Sequence, residues 1–182
     1  MAGVVFIHTF LLSITIALGW QFVLLSRHFF KPETVIGHFK RQPTMTREEA
    51  QPAWEKIVDT GFSEYHKLTR DQRVWFNIEP LTTDGLWDHY MNSGADKNAD
   101  TIEDLEYLNF TSIADQLRKF NKKYFPKGVP EGPDARQEQF DKFPEDGLEQ
   151  DIEEMDDKFW ELSDDLENAL LDHINRTGIG KD

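Results

Sequence analysis

The chain of 182 residues contains no cysteine. Disulfide bonds and metal sites built on thiolates are therefore excluded, and this usage is compatible with a reducing compartment. Positive charge is also scarce, because 20 lysines and arginines stand against 34 aspartates and glutamates, a formal net charge of −14. That excess argues against direct binding of nucleic acid and favours basic partners, or serves solubility alone.

The motifs of common catalytic sites are absent as well. The sequence has no glycine-rich phosphate loop, nucleophile elbow or His-Glu metal motif, and its acidic runs lack the glycine and spacing of an EF-hand loop. Two pairs, Asp88-His89 and Asp172-His173, are adjacent, but neighbouring residues on a helix point about 100° apart and form no ready-made dyad. We expect no catalytic residue, metal ligand or cofactor, and a hydrolase that uses carboxylates and His89 is the weaker alternative.

Residues 4–25 form a nearly unbroken apolar run without Asp, Glu, Lys or Arg. About 20 apolar residues suffice to span a bilayer as a helix. An uncleaved anchor, a cleaved signal peptide and a buried core helix are the three interpretations. The anchor is favoured, since no base precedes the run, whereas Arg27 and Lys31 follow it. The positive-inside rule then predicts a single-pass protein of the inner membrane, with its C-terminal domain in the cytoplasm.

We divide the chain into an anchor at residues 1–30, a linker at 31–45 and an acidic helical domain at 46–178. Capping boxes begin at Thr46 and Thr69, and Pro80 predicts the end of the second helix. Asp84 is the expected cap of a third helix, and no segment shows the alternation of a strand. The predicted fold is all-α, a compact multi-helix domain with an N-terminal transmembrane (signal-anchor) helix.

The last long stretch, residues 145–172, holds 13 carboxylates against one base, Lys158, and so carries 12 of the 14 excess negative charges. Apolar residues recur through it at gaps of three and four, which predicts amphipathic helices with a bend near Leu162 and Ser163. As a straight helix it would be about 42 Å long. One charge per roughly 3 Å approaches the density of a DNA strand, about one per 3.4 Å. The candidate partner-binding residues are Glu149, Asp151, Glu153, Glu154, Asp156, Asp157, Glu161, Asp164 and Asp165.

A basic patch precedes this stretch, at Arg118, Lys119, Lys122, Lys123 and Lys127. Cations near a helix C-terminus complement the helix dipole, which is the simpler interpretation. The alternative is that the patch binds an acidic surface, either within the chain or across a homodimer.

Three segments follow one another along the chain: residues 84–95, the lysine-rich helix that ends in Tyr124-Phe125-Pro126, and residues 155–162. Their order resembles that of a bacterial family of helical domains that includes DNA-mimic proteins. The family motif reads Asn-Gly-Gly, an aromatic residue, Gln-Tyr or Gln-Phe, then Asn-Ser. Asp84 and His89 depart from it, whereas the residues that fit are Gly85, Trp87, Tyr90, Asn92 and Ser93. The resemblance implies that these five residues build the fold and that the chain is a binding protein.

These observations lead to one main hypothesis, a membrane-anchored module whose acidic face docks a basic protein surface, such as that of a DNA-binding protein. In the alternative, the chain is a structural subunit of a membrane complex and its charge only keeps the domain soluble.

Overall fold

The computed structural model describes residues 45–181. Seven α-helices and three short 3-10 helices make up this range, which contains no strand, so the all-α prediction is confirmed here. The α-helices are α1 (Arg47–Glu64), α2 (Arg70–Met91), α3 (Asn98–Tyr107), α4 (Thr111–Tyr124), α5 (Pro133–Phe140), α6 (Glu145–Trp160) and α7 (Ser163–Thr177). The predicted anchor at residues 4–25 lies outside the described residues. Within them, no helix combines the length and the apolar character that crossing a membrane requires.

Helix α2 lies at the centre of the domain. Helices α1, α3, α5, α6 and α7 all pack against it. Val74, Ile78 and Leu86 are fully buried along it. A helix covered on so many sides carries apolar residues around much of its circumference rather than along one stripe.

The prediction that the second helix ends at Pro80 is wrong. Helix α2 runs through this proline to Met91, and only at Gly85 does its backbone leave the helical conformation, with φ 85° and ψ −178°. A proline inside a helix removes one hydrogen bond and strains the preceding turn. Burial of Ile78 and Leu81 on either side of Pro80 stabilises the continuous helix against that cost.

Other helix ends agree with their local sequence signals. Both capping boxes form, with Thr46 accepting from Glu49 N–H and Thr69 accepting from Gln72 N–H. The acidic stretch bends as expected, because α6 ends at Trp160 and α7 begins at Ser163. Gly178 closes α7 in the left-handed conformation, with φ 74°.

Candidate functional site

The two acidic helices are held to the domain by their apolar sides. Met155 and Phe159 of α6 are buried, as are Leu166 and Leu170 of α7. Residues at spacings of three and four share one face of a helix, so most of the intervening carboxylates point away from this seam.

Seven of the nine predicted partner-binding carboxylates are exposed. None of the seven forms a salt bridge with any residue of the described range 45–181. We call these seven residues the acidic surface: Glu149, Glu153, Glu154, Asp157, Glu161, Asp164 and Asp165. Their charges remain available to a partner, because no base within this part of the chain neutralises them by direct contact.

The eighth residue, Asp151, is engaged inside the chain. It accepts hydrogen bonds from Lys123 Nζ and, at 2.8 Å, from the Tyr124 hydroxyl. The hydrogen bond from Lys123 lowers the pKa of the Asp151 carboxyl. The basic patch therefore meets the acidic stretch within the chain at this one pair, as one of the two interpretations of that patch anticipated.

The ninth residue, Asp156, caps the part of α2 that follows the break at Gly85. The break at Gly85 frees the backbone N–H groups that follow it, and Trp87 N–H donates to Asp156 Oδ1 at 3.2 Å. Burial raises the pKa of Asp156, although this hydrogen bond opposes the shift. The sequence indicates Asp84 for this role, but the carboxylate that fills it comes from α6, 69 residues after Trp87.

Gly85 also determines how closely α6 approaches α2. A Cβ atom at this position would lie 2.9 Å from Cζ2 of Trp160, which is closer than side-chain contacts allow. Its φ of 85° is a second reason for glycine. Trp160 lies over this backbone and remains 46% exposed beside the acidic surface.

The other motif residues are divided between interior and surface. Trp87 is half-buried, with its ring 5.4 Å from that of Phe140. Tyr90 is fully buried, and its hydroxyl donates to Asn121 Oδ1 at 2.6 Å. Asn92 and Ser93 are exposed where α2 ends.

Arg136 of α5 is a buried structural residue that the sequence analysis missed. Its guanidinium is fully buried and donates to the carbonyls of Tyr90, Asn92 and Pro130 and to Asp96 Oδ1. Burial opposes ionisation of Asp96, but the hydrogen bonds from Arg136 and from Gly132 N–H lower its pKa. No local signal in the sequence distinguishes Arg136 from an exposed arginine on a short helix.

His89 lies at the end of a chain of hydrogen bonds next to this arginine. Asn121 donates to Asn98 Oδ1 at 2.7 Å, which leaves the Asn98 amide nitrogen to face His89 Nε2 at 3.2 Å. Burial and the charge of Arg136 lower the pKa of His89 to about 3. The neutral ring thus accepts a hydrogen bond from Asn98 in the interior of the domain.

Neither of the adjacent Asp-His pairs makes a dyad. His89 is paired with Asn98, and Nε2 of His173 lies 3.4 Å from Asp71 Oδ1, so each ring takes its partner from another helix. Burial also lowers the pKa of His173. Residues 45–181 contain no group of three or more side chains arranged to hold a metal ion.

The described residues thus form an acidic, all-helical domain with an exposed carboxylate surface. Residues 66–177 match the family model described as DMP19-like protein. This match covers more than half of the chain, and the chain belongs to the DMP19-like family. The family is not a known enzyme family. No curated protein and no solved structure shows significant similarity to the chain.

Proposed function

We propose that the acidic surface occupies the DNA-binding face of a basic protein. One observation carries this proposal. Six of the seven exposed carboxylates lie on two consecutive helices whose opposite sides are packed into the domain, and the seventh, Glu161, lies in the turn between them. None of the seven forms a salt bridge within residues 45–181. Packing on the inner side orients the carboxylates, so that a partner meets an ordered array and loses little entropy in arranging it.

The density of charge on α6 is close to that of a DNA strand. The helix has 16 residues and is therefore about 24 Å long. Its six exposed carboxylates are Glu145, Asp146, Glu149, Glu153, Glu154 and Asp157. One charge per about 4 Å compares with one phosphate per about 3.4 Å of a single strand. Because α7 starts a new helix at Ser163, the array turns there instead of continuing straight.

Capture of a partner by the full chain tests this proposal. We expect the quadruple variant Glu153→Gln, Glu154→Gln, Asp157→Asn and Asp164→Asn to lose a partner that the wild type retains at low salt. The matched control removes four exposed carboxylates elsewhere, with Glu48→Gln, Glu131→Gln, Glu138→Gln and Asp141→Asn. Both variants change the net charge by the same amount, so a purely global electrostatic effect would weaken both equally.

Two further measurements connect capture with mimicry of DNA. The captured protein should be released by duplex DNA, because both ligands occupy one face, and by raised salt, because the contacts are between exposed charges. Equal capture by both quadruple variants, with unchanged helical circular dichroism, would contradict the proposal.

The same proposal includes attachment to the inner membrane through residues 4–25, with the acidic domain in the cytoplasm. Its support is the length and apolar character of that run, together with the bases that follow it. Full-length protein should sediment with membranes and resist extraction at alkaline pH, whereas residues 32–182 should remain in the supernatant. Equal distribution of the two would refute the anchor but leave the acidic surface unaffected.

A further inference from the structure

A cleft of about 380 Å³ separates the exposed sides of α4 and α6. Phe120 of α4 and Met155 of α6 are among its lining residues, and each is only 5% exposed. Four lysines also line it, three from α4 and one from α6: Lys119, Lys122, Lys123 and Lys158. Buried apolar side chains and exposed lysines therefore line the same cleft, and we call Phe120 and Met155 its apolar floor.

The charge of this cleft is opposite to that of the chain. Its four lysines stand against two carboxylates, Asp151 and Glu154, which leaves a formal excess of two positive charges in a chain of −14. Lys123 is paired with Asp151. Within residues 45–181 the other three lysines form no ion pair closer than 4.0 Å.

Helix dipoles alone do not explain this arrangement. Lysines near the C-terminal turns of α4 and α6 complement the partial negative charge of those helix ends. That effect does not require the side chains to surround a common hollow, nor a hollow with apolar residues at its base. The volume falls in the range of small-molecule sites, which are mostly apolar with a few converging polar groups.

We propose that this cleft binds a small anionic amphiphile, an aliphatic chain that ends in a carboxylate or phosphate. The chain would cover Phe120 and Met155, and the anionic head would lie among Lys119, Lys122 and Lys158. Burial of the apolar chain supplies most of the affinity, and the lysines select against neutral or cationic analogues. The cleft shares Glu154 with the acidic surface, but the three lysines that would hold the head group are not part of that surface, so either proposal can fail without the other.

The methyl group of Met155 reports on the cleft directly. In full-length protein with ¹³C-labelled methionine methyl groups, decanoate should shift the Met155 signal saturably, while Met45 and Met91 serve as references elsewhere in the domain. Decyl phosphate in a parallel titration distinguishes the two head groups, and saturable binding of either supports the proposal. The variant Met155→Leu assigns the signal.

The lysines are tested with matched pairs of substitutions. Lys119→Gln with Lys122→Gln should weaken decanoate binding about tenfold and leave the weaker binding of decanol unchanged. The control, Lys142→Gln with Lys181→Gln, removes the same charge from exposed positions outside the cleft and should bind as the wild type. All four lysines are exposed, so the fold should tolerate their loss.

The length of the aliphatic chain tests the apolar floor. Octanoate, two methylenes shorter than decanoate, should bind on the order of tenfold more weakly. The proposal is overturned if neither anion shifts Met155, if decanol binds as tightly as decanoate, or if the two lysine pairs have the same effect.

Discussion

Charged groups serve opposite purposes in two regions of the domain. Around Arg136 they are buried and every guanidinium nitrogen donates to a named acceptor, whereas along α6 and α7 they are exposed and largely free of internal ion pairs. A buried charge without its partner is costly, so removing one member of the first group should strongly destabilise the fold. An exposed charge is well hydrated, so removing one from the second group should change binding and leave stability nearly intact.

Substitution of Arg136 should produce the largest loss of stability. Arg136→Met removes the guanidinium donor of three carbonyls and leaves the Asp96 carboxylate with the hydrogen bond from Gly132 N–H. We expect the free energy of unfolding to fall by about 3–5 kcal/mol. Urea denaturation measures this change. The control is Arg118→Met, because Arg118 is exposed and its salt bridges to Glu106 and Asp115 should contribute less than about 1 kcal/mol. Similar losses in both variants would remove the distinction between the two regions.

Helix α2 contacts both regions, because its Tyr90 carbonyl accepts from Arg136 and its Gly85 lies against Trp160 of α6. Gly85→Ala combines a positive φ with a Cβ atom 2.9 Å from the indole ring, so we expect a loss of about 2–3 kcal/mol in unfolding free energy. Gly147→Ala is the matched control, because Gly147 lies in the first turn of α6 with no neighbouring atom within 4 Å of its Cβ position. There alanine should be neutral or stabilising by up to about 1 kcal/mol.

Acid should destabilise the buried region through His89. The ordinary pKa of histidine, 6.5, applies to the unfolded chain, and the folded value is about 3. Between these values the unfolded chain binds more protons, so the stability due to neutral His89 is complete above pH 6.5 and is lost as the pH falls towards 3. At pH 5 this loss amounts to about 2 kcal/mol.

The measurement compares urea unfolding at pH 7 and pH 5 for the wild type and His89→Gln. Glutamine keeps an acceptor for Asn98 but does not titrate. The free energy of unfolding should therefore fall between pH 7 and pH 5 by about 2 kcal/mol less in the variant than in the wild type. His173, which also has a lowered pKa, remains in both proteins and cancels in the comparison. Identical pH dependence of the two proteins would contradict the assignment.

The smallest effects should come from two adjacent carboxylates of α6. Asp156 caps the segment after Gly85, whereas Asp157 is exposed. Asp156→Ala should cost about 1 kcal/mol of unfolding free energy, as expected for the loss of a helix cap. Asp157→Ala should change it by less than about 0.5 kcal/mol and weaken partner capture instead. The opposite order would show that the acidic surface is wrongly placed.

Local sequence rules predicted those features that depend on neighbouring residues. The capping boxes at Thr46 and Thr69 and the bend near Ser163 all follow from residues within one helical turn. The Pro80 rule failed because packing on several sides of α2 outweighed a local penalty. The membrane anchor and the role of the acidic surface in binding stay predictions.

Contacts between distant parts of the chain left no comparable signal. Arg136 bonds to Tyr90 across 46 residues and Asp156 caps Trp87 across 69, and neither pair stands in a recognisable spacing. Asp151 and Asp157 look alike in sequence, yet one is bound by Lys123 and the other is exposed. Only their positions on α6, relative to α4, separate them.

Sequence alone therefore determined that the described domain is helical and that its last helices are acidic, because helix periodicity and charge are properties of neighbouring residues. The tertiary structure decided which charges serve the interior and which remain for a partner. The reason is physical: solvent exposure depends on how helices pack, and packing is set by contacts between residues far apart in the chain.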